Sequence, residues 1–125
     1  MYKLVLIALG GLIGTLIRYA LSTWVDERVQ SLFPYGTIVV NLTGCFMAGF
    51  LLPLLEKAAV SPELRLAVFT GFLGGFTTFS AYALQTVLLA KSGSFSVATA
   101  NVVISNIAGL LMVWLGGGFS RSLVP

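Results

Sequence analysis

The sequence predicts an all-α membrane protein with four transmembrane helices. Hydrophobic residue types make up 58% of the 125 residues, and charged types only 9%, against about a quarter in an ordinary soluble domain. The mean hydropathy is +1.01. Four apolar stretches follow one another, and each provides the roughly 20 helical residues that cross a bilayer core. They fall at about residues 4–24, 36–55, 66–90 and 95–115, so residues 1–125 are predicted to form a single four-span membrane domain.

The composition excludes most enzymes. A small soluble domain has too much surface for its volume to hide so much apolar material. The chain has no histidine, the commonest general base and metal ligand. Its single cysteine, Cys45, cannot form an intrachain disulfide. The seven basic residues are spread along the chain without a basic patch. We therefore expect neither an enzyme nor a nucleic-acid-binding protein.

The boundaries of the spans are marked by polar residues and prolines. Residues 26–28 and 33–36 separate the first span from the second, and residues 91–94 separate the third from the fourth. The run at 61–63, Ser-Pro-Glu, has the cap, proline and acid that are typical of a helix start. Arg18 is the one charge within an apolar run. It is either a cation of the transport pathway or a structural residue, and we favour the structural role, as an anchor that reaches the membrane interface or in an ion pair.

The third span is poor helix material near its centre. Paired glycines at 74–75 are followed by paired β-branched threonines at 77–78, and both residue types lower helix propensity. A break there frees backbone groups, which are tolerated at membrane depth only inside protein, along a water-filled cavity or around an ion. The sequence therefore predicts a third helix broken mid-membrane. The alternative is a continuous helix with a small-residue packing face.

Apart from Arg18, the polar residues inside the spans are neutral. They form a predicted track of hydrogen-bonding groups that contains no carboxylate: Asn41, Gln85, Asn101, Ser105 and Asn106. The lack of an acid in a span core argues against a proton-coupled cation exporter of the small multidrug type. Amide and hydroxyl groups donate to anions, and the edges of the Phe79 and Tyr82 rings are electropositive. The pattern therefore favours an anion path.

The basic residues are divided almost evenly between the two sides of the membrane. With four spans, one side carries Lys3, Lys57, Arg65 and Arg121, and the other carries Arg28, Lys91 and, if it snorkels, Arg18. Because the positive-inside rule sets orientation by such charges, two interpretations remain open. The topology is set weakly but uniquely, or the chain inserts both ways round and pairs as an antiparallel dimer.

The first three spans contain three ordered motifs, which are Gly10-Gly11-x-x-Gly14-x-x-x-Arg18-Tyr19, Gly36-Thr37-x-x-x-Asn41-x-x-Gly44-x-Phe46-x-x-Gly49 and Gly71-Phe72-x-Gly74-Gly75-x-Thr77-Thr78-Phe79-Ser80. Together they resemble the motifs of the Fluc (CrcB) family of fluoride channels. The fourth span is similar only loosely, through Asn101-x-x-x-Ser105-x-x-x-Gly109. The resemblance covers nearly the whole chain.

The resemblance implies a dual-topology antiparallel homodimer in the bacterial inner membrane, with two pores that let fluoride leave the cytoplasm. It also implies a central structural sodium ion held by the backbone carbonyls of Gly74 and Thr77. The implied pore residues are Asn41, Phe79 and Tyr82, with Thr78 and Ser80 beside them. From the polar track and the loose match of the fourth span, we add Asn101 and Ser105 to the predicted pore.

Three residues depart from the family pattern. Tyr82 replaces the usual phenylalanine, Gln85 replaces a glutamate, and Asn101 replaces a tyrosine often found in the fourth span. The Tyr82 hydroxyl either donates to fluoride or narrows the pore. Two explanations remain open. The chain forms a functional homodimer with a tuned polar track. Alternatively, one pore is impaired, and the chain is one member of a heterodimeric channel or an engineered variant. The rival functions are a proton-coupled secondary transporter and a non-conducting membrane subunit.

Overall fold

The computed structural model describes residues 1–123, and all regular structure in this part of the chain is helical. Four helices are long and apolar enough to cross a membrane, which confirms the predicted fold class. The third span, Pro62–Lys91, consists of several pieces with a π-helical segment at Ala67–Leu73. The α-helices are α1 (Tyr2–Val29), α2 (Tyr35–Lys57), α3 (Pro62–Leu66), α4 (Gly74–Phe76), α5 (Phe79–Lys91) and α6 (Phe95–Leu123).

The first helix continues past its predicted end. Residues 26–28, which were predicted to lie between spans, form part of the last turns of α1. The helix ends where Gln30 takes a left-handed conformation with φ 45°. The extension has a packing reason, because the Asp26 carboxylate accepts a 2.8 Å hydrogen bond from the Gly36 backbone N–H. Asp26 thus joins the end of α1 to the first turn of α2, whose positive dipole end favours an anion.

Glycines allow α1 to lie directly against the third span. A Cβ atom on Gly10 would stand 2.5 Å from the Ala67 carbonyl oxygen, and one on Gly75 would stand 2.5 Å from the Gly11 carbonyl oxygen. Both distances are shorter than van der Waals contact, so a side chain at either position would force the helices apart. The small residues therefore pack helix backbones closely, as is common between membrane helices.

A second close pair is formed by α2 and α6. A Cβ atom on Gly49 would overlap the Val113 carbonyl, and one on Gly116 would overlap the Phe46 carbonyl. Phe46, Phe50 and Phe119 cluster beside these glycines, with ring centroids about 6 Å apart. The molecule thus contains two tight helix pairs, α1 with the third span and α2 with α6, and α1 also contacts α2 directly near Gly36.

The outward surface is apolar, and the charged groups lie near the helix ends. Large apolar side chains along α1 are about half exposed or more, among them Leu9, Leu12, Ile13 and Leu16. Lys3 and Glu63 form an ion pair at 3.2 Å near one end of the bundle. The Arg28 guanidinium stacks over Trp24 at 4.2 Å near the other. This distribution suits a bundle that is surrounded by lipid or by a second protein chain.

The third span is interrupted at the predicted position. Thr77 has φ −85° and ψ 157°, and Thr78 has φ −147° and ψ 108°, so both residues are extended between α4 and α5. The predicted break is therefore confirmed. Thr78 also caps the new helix start, because its hydroxyl accepts a hydrogen bond from the Ala81 backbone N–H at 3.2 Å.

Candidate functional site

Asn41 brackets the break in the third span. Its Oδ1 accepts a 2.7 Å hydrogen bond from the Thr78 backbone N–H, and its Nδ2 donates a 3.0 Å hydrogen bond to the Thr78 carbonyl oxygen. The two bonds fix which end of the amide is oxygen and which is nitrogen. One side chain from α2 thus pairs both backbone groups of the extended residue Thr78. We call these two hydrogen bonds the Asn41 bracket. The second Nδ2 proton has no acceptor within residues 1–123.

The same interactions release two carbonyl groups from helical pairing. In a continuous helix the Thr78 N–H would donate to Gly74 and the Ala81 N–H to Thr77. Here the Thr78 N–H donates to Asn41, and the Ala81 N–H donates to the Thr78 hydroxyl. Gly74 and Thr77 are the two residues predicted to hold sodium. Carbonyl oxygens without a helical partner suit a hard cation, so the residues present fit such an ion.

A cavity of about 230 Å³ lies beside the break. All eight of its lining residues are uncharged: Asn41, Cys45, Thr77, Thr78, Phe79, Tyr82, Ser105 and Asn106. The structure thus brings together five of the predicted pore residues from α2, α5, α6 and the break. An uncharged wall of amides, hydroxyls and ring edges has the composition predicted for an anion path.

Two aromatic rings form one part of the cavity wall. The ring centroids of Phe79 and Tyr82 are 5.3 Å apart with an interplanar angle of 56°. Phe79 is 78% exposed on the single chain, although it lies at the centre of the third span. The cavity is therefore closed by α2, α5 and α6 on one side and is open where Phe79 projects.

Asn101 lies behind the cavity wall, and the structure does not bring it to the cavity. It is 1% exposed. Its Nδ2 donates to the Thr86 hydroxyl at 2.8 Å, and its Oδ1 accepts from the Ser105 hydroxyl at 3.3 Å. Asn101 thus ties α6 to α5 and holds Ser105 in place. Its assignment to the pore stays a prediction, and its observed contacts are those of an interhelical clamp.

Ser80 and Arg18 line a different cavity on the α1 side of the break. This cavity measures about 470 Å³ and also contains Asp26 and Gln85. Thr78 lines both cavities, and its hydroxyl lies 3.3 Å from that of Ser80. The break therefore separates two polar spaces. The buried Oε1 of Gln85 has no hydrogen-bond partner within the described part of the chain.

Three contributors to the site are absent from the predicted pore set. Cys45 lines the smaller cavity, Thr86 accepts from Asn101, and Asn106 donates to the Tyr82 hydroxyl at 3.1 Å. Asn106 carried a sequence signal as a polar residue in an apolar span. Thr86 carried none, because its partner lies 15 residues away on another helix. Cys45 carried none because cysteine behaves as an ordinary small hydrophobe.

These features define a small multi-pass membrane protein with non-helical backbone at membrane depth, an arrangement typical of ion sites. Within residues 1–123, no three His, Cys, Asp or Glu side chains form a metal-binding group. The family model described as "CrcB-like protein, Camphor Resistance (CrcB)" matches residues 5–117. The chain belongs to this family, which confirms the resemblance read from the motifs.

Several curated relatives are similar over nearly their full length. A protein of Parabacteroides distasonis is 42% identical over 99% of this chain and 97% of its own length. A protein of Desulforapulum autotrophicum is 49% identical over 86% of this chain and 87% of its own length. A protein of Salinibacter ruber is 44% identical over 99% of this chain and 93% of its own length. Each is called "Fluoride-specific ion channel FluC". This chain is accordingly a multi-pass protein of the bacterial inner membrane, and the prediction that it is not an enzyme is confirmed.

We expect the substitution Asn41→Ala to destabilise the protein, because it leaves the Thr78 backbone N–H without a partner. The Thr78 carbonyl is at the N-cap of α5 and keeps its helical hydrogen bond. An unpaired buried polar group costs about 1–3 kcal/mol. Unfolding of the purified protein by a denaturing detergent should show a loss of that size in the free energy of unfolding. Thr43→Ala, at an exposed position of the same helix, is the matched control and should stay within about 0.5 kcal/mol of wild type. Equal stability of the two variants would show that the bracket does not support the break.

Proposed function

We propose that this chain forms a channel that passively conducts fluoride out of the cytoplasm. The observation that carries the proposal is the uncharged cavity beside the break, with Asn41, Tyr82 and Ser105 on its wall. The relatives called fluoride-specific ion channels support the choice of ion. Hydrogen fluoride, a weak acid, crosses membranes unaided and ionises inside the cell, so fluoride accumulates unless it has an exit. A passive pore is sufficient for this purpose.

The cavity provides groups that replace water around a small anion. Asn41 keeps one N–H that its bracket does not use, and the electropositive edges of Phe79 and Tyr82 provide a second kind of contact. Because these groups are neutral, they compensate for dehydration without holding the ion by a full charge. Binding that is favourable yet weak enough to allow release is the requirement for conduction.

The open side of the cavity favours a dimer. Phe79 is 78% exposed in the middle of a membrane span, and a second copy of the chain would cover it and complete the wall. The even division of basic residues between the two sides allows the chain to insert in both directions. We therefore propose an antiparallel homodimer with two pores. A heterodimer with a related chain is the alternative, and it is motivated by Tyr82, Gln85 and Asn101.

We also propose a structural sodium ion at the dimer centre. Its ligands would be the carbonyl oxygens of Gly74 and Thr77 from both copies, because the break leaves these two groups without helical partners. A bound cation would compensate for unpaired carbonyls at membrane depth. Its role would be to hold the two breaks together, and the ion would not be transported.

A proton-coupled transporter of the small multidrug type is the second candidate. It would need a carboxylate in the membrane core. The acidic residues of the described chain lie near the helix ends: Asp26, Glu27, Glu56 and Glu63. Among them only Asp26 lines the cavity on the α1 side of the break, and its carboxylate is engaged by Gly36. The distribution of acids therefore favours the channel.

Liposomes containing the purified protein should release fluoride rapidly down its gradient, as measured with a fluoride electrode under a clamped membrane potential. We expect Asn41→Asp to abolish this efflux, because a carboxylate in the cavity repels the anion. Ser122→Asp adds the same charge at an exposed position near the end of α6 and should retain efflux. A wild-type protein that releases neither fluoride nor chloride would contradict the proposed function, and efflux through Asn41→Asp would remove Asn41 from the pore.

Tagged C-termini should be detected on both faces of the membrane in intact cells. We expect about equal labelling of the two faces, because the basic residues give little bias. Adding two lysines next to Lys3 should shift the labelling to one face and reduce fluoride efflux, since parallel copies cannot form the proposed dimer. Labelling of the unmodified protein on one face only would contradict dual topology.

Removing sodium should lower fluoride efflux. Proteoliposomes prepared with N-methyl-D-glucamine as the only cation should lose most of their activity, because the carbonyls at the break lose their ligand. Restoring sodium, and not the same concentration of potassium, should restore it. Full efflux after thorough removal of sodium would contradict the proposed ion while leaving the fluoride pathway itself intact.

A further inference from the structure

The Tyr82 hydroxyl accepts a hydrogen bond from Asn106, and the neighbouring groups determine which of the two residues is the donor. Asn106 Nδ2 lies 2.8 Å from the Val102 carbonyl oxygen and 3.1 Å from the Tyr82 hydroxyl oxygen. A backbone carbonyl only accepts hydrogen bonds, so the nitrogen of the Asn106 amide must be the atom on this side. Tyr82 therefore accepts from Asn106, and this contact does not use its own phenolic proton.

The Ser105 hydroxyl, unlike the Tyr82 hydroxyl, is the donor in its hydrogen bond. Thr86 donates to the Tyr82 backbone carbonyl at 2.8 Å, so the Thr86 oxygen is the acceptor in its contact with Asn101 Nδ2 at 2.8 Å. The amide nitrogen of Asn101 thus points to Thr86, and Oδ1 points to Ser105. Because Oδ1 only accepts, the Ser105 hydroxyl is the donor at 3.3 Å. Its proton is directed away from the cavity.

The remaining hydroxyls of the cavity are also engaged. Thr77 donates to the Leu73 carbonyl at 2.9 Å. Thr78 accepts from Ala81, and its hydroxyl lies 3.3 Å from that of Ser80, where either oxygen is able to donate to the other. Tyr82 is thus the cavity hydroxyl for whose proton no acceptor lies within hydrogen-bonding distance in residues 1–123. Its ring also forms part of the cavity wall.

We propose that the Tyr82 hydroxyl donates its proton in a hydrogen bond to the permeating fluoride and that Asn106 is a positioning residue that directs this proton into the cavity. The proposal rests on the proposed function. Fluoride is small and a strong hydrogen-bond acceptor, whereas larger halides accept more weakly. An O–H donor that Asn106 holds in one orientation therefore favours fluoride over larger halides more than a ring edge does. Tyr82 would thus contribute to the selectivity for fluoride.

The test compares the fluoride concentration that gives half-maximal efflux in wild type and in Tyr82→Phe. The variant keeps the ring and its edge and removes only the hydroxyl. Loss of a hydrogen bond to an anion should raise this concentration about tenfold. Asn106→Leu should raise it by a smaller factor, because the phenol is kept but no longer oriented. Ser105→Ala should shift it less than Tyr82→Phe does. Tyr35→Phe, which removes a hydroxyl outside this cavity, is the matched control and should match wild type.

A spectroscopic measurement separates a donor from a residue that only shapes the pore. Adding fluoride to the purified dimer should change the ultraviolet absorption of tyrosine in wild type and in Tyr35→Phe, and the change should be absent in Tyr82→Phe. Equal half-maximal concentrations in wild type and Tyr82→Phe, or an unchanged tyrosine spectrum, would overturn the proposal while the channel function stands. A wild-type protein without fluoride efflux would contradict the proposed function itself.

Discussion

The pairing of Asn41 with both backbone groups of Thr78 is the interaction on which the site depends. A membrane helix cannot simply be opened, because lipid provides no partner for the freed N–H and carbonyl groups. Here one amide side chain from α2 takes the N–H at 2.7 Å and the carbonyl at 3.0 Å. The third span can therefore contain two extended residues at membrane depth. The start of α5, the Gly74 and Thr77 carbonyls and the Phe79 ring are all positioned by this break.

The bracket works only because α2 lies very close to the third span. Gly44, three residues after Asn41, faces Thr77 and Phe76, and a Cβ atom there would overlap the Thr77 methyl group. On the other side of the third span, the glycines of α1 place its backbone against the π-helical segment. The small residues are thus more than a general packing device. They set the distance at which a short asparagine side chain can reach the broken backbone.

The wall of the cavity combines neutral groups with a defined direction of hydrogen bonding. Backbone carbonyls, which only accept, fix the orientation of the Asn106 amide directly and of the Asn101 amide through Thr86. The network therefore determines which side chain presents a proton and which presents a lone pair. In an environment of low dielectric constant, such directions matter more than the number of polar groups, because an unpaired polar group is costly there.

The sequence alone determined the number of spans, the position of the break and the neutral character of the track. Each of these depends on local properties, namely the length of apolar runs, the helix propensity of Gly-Gly and Thr-Thr, and the absence of acids from the span cores. Sequence also indicated the family, because three motifs keep their spacing.

The tertiary structure decided how the predicted pore residues are divided between the two cavities. Asn41, Thr78, Phe79, Tyr82 and Ser105 share one cavity, whereas Ser80 lies on another and Asn101 lies behind the wall. It also showed that Asp26 caps α2 from within α1, and that Thr86 and Asn106 orient the polar groups. Those assignments depend on which helix faces approach one another, and this is set by backbone contacts between helices that are distant in the sequence.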